Sequence, residues 1–412
     1  MKFYLVIVMN VVILTEVLSP YISGISTYAE VLRKGLESRG HKVVVVTSSL
    51  HTAQASIKRG IIRCPAKRSW NKYGYECKDI NDVHVIRFLR KFEPDIIHIL
   101  TDTKIGYMGI SLADRFHCPM VFSVIDNFAD RFSDKSKLVW KIKTFFEKRH
   151  FCDMLDNAQA VTSSNKRAAL FIRNAGRKKK VLLTPVATDK KRFDYKRTNR
   201  AAKLKIRKKL GIPKTATVAV FAGDLTVAKN IEFMLKVFRR RLKYEDNIHL
   251  LIVGGGTESE YLRMHCNKNH LNDRVHFAGV LAHSIMPEVL SACDIYVCSA
   301  DDGLLSMSFA EAMACGLPVL VKEDKEKYVY SMIKHGVNGF VYKDDASFIK
   351  YLKKLSYFDE AEKEKLRYIV RHSLKNLNCT YMAKCMEKVY LQAKDAHHPK
   401  ETLVGFDDED LM

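Results

Sequence analysis

A chain of 412 residues with 47% hydrophobic content has the length of two or three domains and ample material for packed cores, which excludes disorder as its default. Its 69 Lys and Arg exceed its 46 Asp and Glu, for a net charge of +23, and favour polyanionic or phosphorylated partners. Its ten cysteines form no CxxC pair and no metal-ligand spacing, the pattern of reduced, buried thiols in a cytosolic protein.

In chain order, MKFYLVIVMNVVILTEVLS carries Lys2 and an apolar core as a secretory leader would. Asn10 and Glu16 interrupt the run, which is too short to span a bilayer. The segment reads instead as the approach to a first strand at 11–16, with Met9 as an alternative start. Ile25, Tyr28, Leu32 and Leu36 then recur at helical spacing until Gly40, a residue that can end a helix. Next come a strand at 42–47, a helix around 81–92, a strand at 95–100, a helix around 107–116 and a strand at 119–124. Helices between consecutive strands imply a parallel sheet.

Between 138 and 146, Leu138, Ile142, Phe145 and Phe146 share one helical face, with lysines around it. Such a stripe suits either core packing or a membrane surface. Residues 166–209 hold 18 basic residues and two acids, Asp189 and Asp194, so most of the charge surplus is local. An anionic membrane is the favoured partner; nucleic acid is disfavoured because no recognition module accompanies the charge. Unpartnered, solvated lysines are the plain alternative.

The β-α alternation restarts with strands at 217–223, 249–256, 274–280, 294–299 and 317–321. The expected division is residues 1–195 and 196–375 as two Rossmann-like domains. A helix at 376–395 packs back on the first domain, and 396–412 is an acidic tail. A cleft between two such domains faces the carboxyl ends of both sheets. The segment DGLLSMSFAEAMACGLPVLV, 302–321, places a loop of small residues ahead of a helix, where N–H groups and the helix dipole favour phosphate. Glu311 follows at a position suited to the paired hydroxyls of a ribose. Ser308 and Glu311 are equally spaced as a capping box.

Several segments in order carry a family resemblance: SPYISGISTYAEVLRKGLESRGHKVVVVT, PDIIHIL, LTPVATDKKRF, VFAGDLTVAKNIEFMLKVF, LLIVGGG, VHFAGV, ACDIYVCSADDG, FAEAMACGLPVLV and HGVNGFVY. Over roughly residues 9–395 the chain resembles glycosyltransferase family 4. These are retaining, nucleotide-sugar-dependent enzymes of the GT-B fold, an α/β architecture of two Rossmann-like parallel-sheet domains with an interdomain cleft. The resemblance implies transfer from a nucleoside-diphosphate sugar, bound by the domain at 196–375, to an acceptor hydroxyl on the side of the domain at 1–195, with a lipid or lipid-linked glycan as one acceptor class. It implies no cofactor and no metal, and a cytoplasmic enzyme that can sit peripherally on a membrane.

By the same resemblance, Lys229 is the phosphate-binding lysine. Ser306, Met307 and Ser308 supply backbone donors, Glu311 holds the ribose, and the Val280 backbone meets the base. Gly24 and Gly223 allow the chain to approach the donor closely. Asp302, through a one-residue bulge, and Asp126 are the carboxylates that can meet the sugar where the sequence departs from the family, with solvated turn residues the equal alternative for Asp301–Asp302; with Lys229 they form the candidate catalytic set.

The sequence also departs from the family. Asp224 stands where an arginine is common, and Gly303 occupies the first position of the E-x7-E motif that ends at Glu311, with Asp302 one residue away. In the first domain, Ile125 and Asp126 follow the strand where a histidine is frequent. These departures leave open an inactive GT-B scaffold that binds nucleotide-sugar or a partner. A dehydrogenase is the weaker rival, because Gly254, Gly255 and Gly256 lack the third fingerprint glycine, whose place is Ser259.

Overall fold

The computed structural model describes residues 8–69, 71, 73–125, 138–164, 166–174, 180–243, 246–300, 306–323, 333–373 and 376–397. The first half comprises β1 (Asn10–Thr15), α1 (Gly24–Glu37), β2 (Lys42–Ser49), β3 (Ser56–Lys58), β4 (Ile61–Arg68) and β5 (Tyr75–Cys77). It continues through α2 (Val83–Phe92), β6 (Ile96–Ile99), α3 (Lys104–Phe116), β7 (Met120–Val124), α4 (Leu138–Asn157), β8 (Ala160–Ser163), α5 (Lys166–Asn174) and β9 (Val181–Leu183).

These strands form one sheet in the order β3-β4-β2-β1-β6-β7-β8-β9, with β5 paired to β4. All neighbours are parallel except β3 and β5, which run antiparallel to β4. The central strands are continuous runs of Val, Ile and Leu because helices cover both faces. Val11 through Leu14, for example, are fully buried. The face of α1 that carries Ile25, Tyr28, Leu32 and Leu36 is buried as its spacing requires, and Ser23 caps the helix by accepting the Ser26 N–H at 3.1 Å.

The second half comprises α6 (Arg200–Lys209), β10 (Thr217–Ala222), α7 (Ile231–Arg241), β11 (Ile248–Val253), α8 (Ser259–Lys268), β12 (Val275–Gly279) and α9 (Met286–Ser291). Then follow β13 (Ile295–Cys298), α10 (Met307–Ala314), β14 (Val319–Lys322), β15 (Gly339–Tyr342), α11 (Asp345–Ser356), α12 (Glu360–Ser373) and α13 (Cys379–His397). Its sheet is parallel, in the order β12-β11-β10-β13-β14-β15. In each sheet the order of strand addition reverses beside the first strand of its half: β1 lies between β2 and β6, and β10 between β11 and β13. Such switch points open a crevice at the carboxyl ends of the strands.

The chain then crosses back. At the end of α12, Arg371 donates to the carbonyls of Phe193 at 2.6 Å and Lys190 at 2.8 Å and pairs with Asp194 at 3.1 Å, fastening the segment that joins the two sheets. Beyond it, α13 packs on α1. A Cβ on Gly35 would lie 2.2 Å from the Cys379 carbonyl oxygen, so only glycine lets the two helices approach this closely. Glu387 accepts from Arg39 Nη2 and His41 Nε2, each at 2.8 Å, and Lys394 pairs with Asp95 at 2.7 Å. Inside this joint, Tyr390 Oη lies 2.8 Å from His98 Nδ1, and His98 Nε2 lies 2.7 Å from Ser123 Oγ. Burial pushes His98 down to about 3, so the ring is neutral across the physiological range.

Candidate active site

A cleft of about 810 Å3 opens between the two sheets. One wall is the loop before α1 and its first turn: Ile22, Ser23, Gly24 and Thr27. The opposite wall comes from three successive strand ends: Gly223 and Asp224 after β10, Gly254 and Gly255 after β11, and Val280 and Leu281 after β12. The start of α10 closes the hollow with Met307, Ser308 and Glu311. Two helix N-termini therefore face one space. The first N–H groups of a helix have no intrahelical acceptor, and the dipole adds partial positive charge there. Both effects favour an anion.

The glycines shape this wall. A Cβ on Gly254 (φ +135°) would lie 1.9 Å from the Gly223 carbonyl oxygen, and one on Gly256 (φ +157°) would lie 2.4 Å from that of Leu225. The loops after β10 and β11 thus touch backbone to backbone, and Leu225 N donates to the Gly255 carbonyl at 2.9 Å. The glycine triplet serves loop-to-loop packing here, which accounts for it without a dinucleotide fingerprint. Gly24 is different: nothing lies within 4 Å of the place its Cβ would take, so the start of α1 is open to a ligand.

Glu311 is buried, and its Oε1 accepts from His283 Nε2 at 2.7 Å. The His283 ring in turn rests 5.5 Å from that of Phe193, on the segment joining the sheets. A carboxylate has more acceptor sites than one imidazole can fill, so Glu311 retains capacity for a ligand hydroxyl. His283 was absent from the sequence expectation. It lies 28 residues from Glu311 and no local pattern links them.

The capping-box expectation is corrected. Helix α10 begins two residues earlier than that box needs, and Ser306 caps it by accepting the Phe309 N–H at 3.3 Å, leaving Ser308 to line the cleft and Glu311 to pair with His283. Glu311 stands in the second turn of the helix, not the first.

Lys229 ends a short 3-10 turn, Val227–Lys229, five residues beyond Asp224. Among the described residues it is not part of the cleft wall. Its backbone is nevertheless tied to the site. The buried Ser299 hydroxyl, just past β13, lies 2.9 Å from the Lys229 carbonyl oxygen and 2.7 Å from that of Asn230. Asp224, exposed on the cleft wall, faces the other domain: burial first, and then its charge, raise the pKa of the Tyr21 phenol. Asp126, Asp302 and Gly303 lie outside the described residues, as do the side chains of residues 138–147.

Two family models match the chain: "Glycosyltransferase Family 4" over residues 22–190 and "Glycosyl transferases group 1" over residues 202–371. The alpha-monoglucosyldiacylglycerol synthase of Acholeplasma laidlawii is 23% identical over 361 residues, covering 84% of this chain and 87% of that protein. The enzyme of the same name from Streptococcus pneumoniae is 22% identical, covering 81% and 75%. Among solved structures, Anabaena HepE in complex with UDP and glucose superposes with a TM-score of 0.68 at 16% identity, over 92% of this chain and 98% of that one. Sucrose-phosphate synthase from Thermosynechococcus elongatus gives 0.70 at 18% identity, over 93% and 98%. With the two parallel sheets, the cleft between them and both matched segments in the same order, the chain belongs to the family 4 glycosyltransferases and has the GT-B fold.

Proposed function

We propose that the cleft binds a nucleoside-diphosphate sugar and that the enzyme transfers the sugar, with retention, to a hydroxyl of a lipid or lipid-linked acceptor. The observation that carries this reading is the convergence of two helix N-termini, glycine-built strand ends and a buried carboxylate on one interdomain cleft. The helix N-termini suit the diphosphate, whose charge grows as it departs, and fixed donors stabilise that charge without reorganisation. Glu311, oriented by His283, suits the ribose hydroxyls.

In the transfer, the anomeric bond to the diphosphate oxygen breaks, the bond to the acceptor oxygen forms, and the hydroxyl proton passes to the departing diphosphate. No metal is required. Lys229, Asp302 and Asp126 are the side chains proposed to meet the phosphate and the sugar.

Lipid acceptors are suggested by the diacylglycerol-directed names of the two relatives and by the basic surface. Lys191, Lys196, Arg200, Lys205, Lys208 and Lys209 are exposed, while Arg207 is committed to Asp294 at 2.8 Å. Among the described residues no helix is long and apolar enough to cross a membrane. Peripheral attachment through these cations is therefore the mode proposed. It fails if the protein does not co-sediment with anionic vesicles at low salt.

The transfer itself is tested by proton NMR of the purified protein with a nucleotide-sugar panel, glycolipid acceptors and EDTA. An axial-to-axial or equatorial-to-equatorial anomeric outcome is expected. Inversion, or dependence on a divalent ion, overturns the corresponding element. Asp224, in place of a cation, favours a second reading in which donor binds without turnover. Binding with no nucleotide release across the panel would select it.

A further inference from the structure

The loop at 18–24 separates two hollows. Ile22 to Gly24 face the cleft, whereas Leu18, Pro20 and Tyr21 line a neighbouring pocket of about 1110 Å3 that lies wholly within the first domain. Its other walls are the end of β2 and the β4–β5 hairpin, an antiparallel addition to an otherwise parallel sheet. Three phenol rings meet there edge to face, Tyr21 with Tyr75 at 5.7 Å between centroids and Tyr21 with Tyr73 at 6.2 Å. Arg63 and Arg68 project from β4 into the same lining.

The charge in this pocket is one-sided. No acidic side chain lines it, and among the described residues neither arginine has an acidic partner. Arg63 donates only to the Ser19 carbonyl oxygen, and Arg68 is exposed. The nearby acids are already engaged. Glu76 pairs with Lys67 at 3.2 Å and accepts from Ser69 at 3.1 Å. Glu16 is sealed behind Ser48, where it accepts the Cys77 N–H at 2.7 Å and burial raises its pKa. Guanidinium groups without an acidic partner, in a lining that also holds three phenol rings, match a planar or tetrahedral oxyanion attached to a hydroxyl-bearing ring.

We infer that this pocket is the acceptor subsite and that it selects an anionic acceptor, its phosphate or carboxylate held by Arg63 and Arg68 and its ring set against Tyr21, Tyr73 and Tyr75. The assignment to an acceptor rests on the transferase reading above. Tyr21 adjoins Ile22, which lines the cleft, so the pocket and the cleft lie on either side of one loop.

The test measures binding of glucose 6-phosphate against glucose by calorimetry, and of phosphatidylglycerol against phosphatidylcholine vesicles by co-sedimentation. Wild type, Arg68→Ala and Arg63→Gln are compared, with the melting-temperature response to UDP followed in parallel. Arg68→Ala removes an exposed side chain, so it reports on the subsite even where Arg63→Gln loosens the Ser19 loop.

The anionic member of at least one pair is expected to bind tenfold or more tightly, with that preference lost in both variants and the UDP response unchanged in Arg68→Ala. Preference for glucose 6-phosphate identifies a soluble phosphate, whereas preference for phosphatidylglycerol alone identifies a lipid headgroup. Absence of any preference, or a preference that survives both substitutions, overturns the inference. If the wild type shows arginine-dependent anion binding but no response to UDP, the donor reading fails and the anion site stands.

Discussion

At Glu311 the structure pairs a carboxylate with a histidine that holds it from another loop, so its position is fixed before a ligand arrives. A hydrogen bond to a charged group is worth about 1.5–3 kcal/mol. His283→Ala is therefore expected to weaken nucleoside diphosphate binding about tenfold by calorimetry while leaving the fold intact. Unchanged affinity would mean that Glu311 needs no such support. Glu311→Gln keeps the size but removes the charge that draws the imidazole proton and, in the proposed donor complex, the ribose hydroxyls. Its loss of affinity should equal or exceed that of His283→Ala. The same residue scale sets a stability prediction at His98, which links Tyr390 to Ser123 inside the joint between α13 and the first sheet. Tyr390→Phe removes one partner and should cost roughly 1–2 kcal/mol in urea unfolding. A change below a few tenths would show that this contact carries no stability.

Among elements, the loops after β10 and β11 are where sequence chemistry most tightly dictates shape. Gly254→Ala would push a methyl group into the Gly223 carbonyl at a backbone angle that alanine rarely adopts. Loss of soluble protein, or of roughly 2–3 kcal/mol with loss of nucleotide response, is expected. A native melting temperature would contradict the close packing. The strands were legible because buried parallel strands read as unbroken apolar runs: 11–16, 42–47, 217–223 and 249–256 each overlap an observed strand, although 254–256 belong to the glycine loop after β11. The additions β3 to β5 were not, since three to eight residues mixing Lys, Arg and Pro carry no period. Nor were β8, β9 and β15, each of four residues or fewer. The start of α10 shifted because serines at 306 and 308 are equally good caps by type, and only the path of the chain selects Ser306. The Glu311–His283 pair was illegible for a different reason: it is created by the fold, between segments with no periodic relation. The pocket beside Tyr21 is illegible likewise, because its arginines and tyrosines converge only when β4 joins the sheet.

At the scale of the whole molecule, two domains are clasped by Arg371 and α13, and buried ionisable groups lie both in the clasp, at His98, and in the second sheet, at His249. Burial lowers His98 to about 3, and burial with neighbouring cations lowers His249 to about 4, against an ordinary value near 6.5. Both folded-state values are depressed, so the unfolded chain takes protons first as pH falls. Their contribution is complete above pH 6.5 and is lost progressively towards pH 4 and below. Glu387 and Asp189, held low by Arg39 and Lys34 despite burial, act in the same direction at still lower pH. The urea midpoint should therefore fall between pH 7 and pH 4.5, and a flat profile would contradict neutral burial of these rings. The proposed function at this scale depends on the cleft between the domains. The most direct measurement of it is a melting-temperature screen of nucleoside-diphosphate sugars, since a ligand bound only by the folded state raises the melting temperature. At least one donor should raise it by several degrees in the wild type, with the rise abolished in Glu311→Gln and reduced in Lys229→Ala. No response to any donor, or a response undiminished in both variants, would contradict the placement of the donor in this cleft.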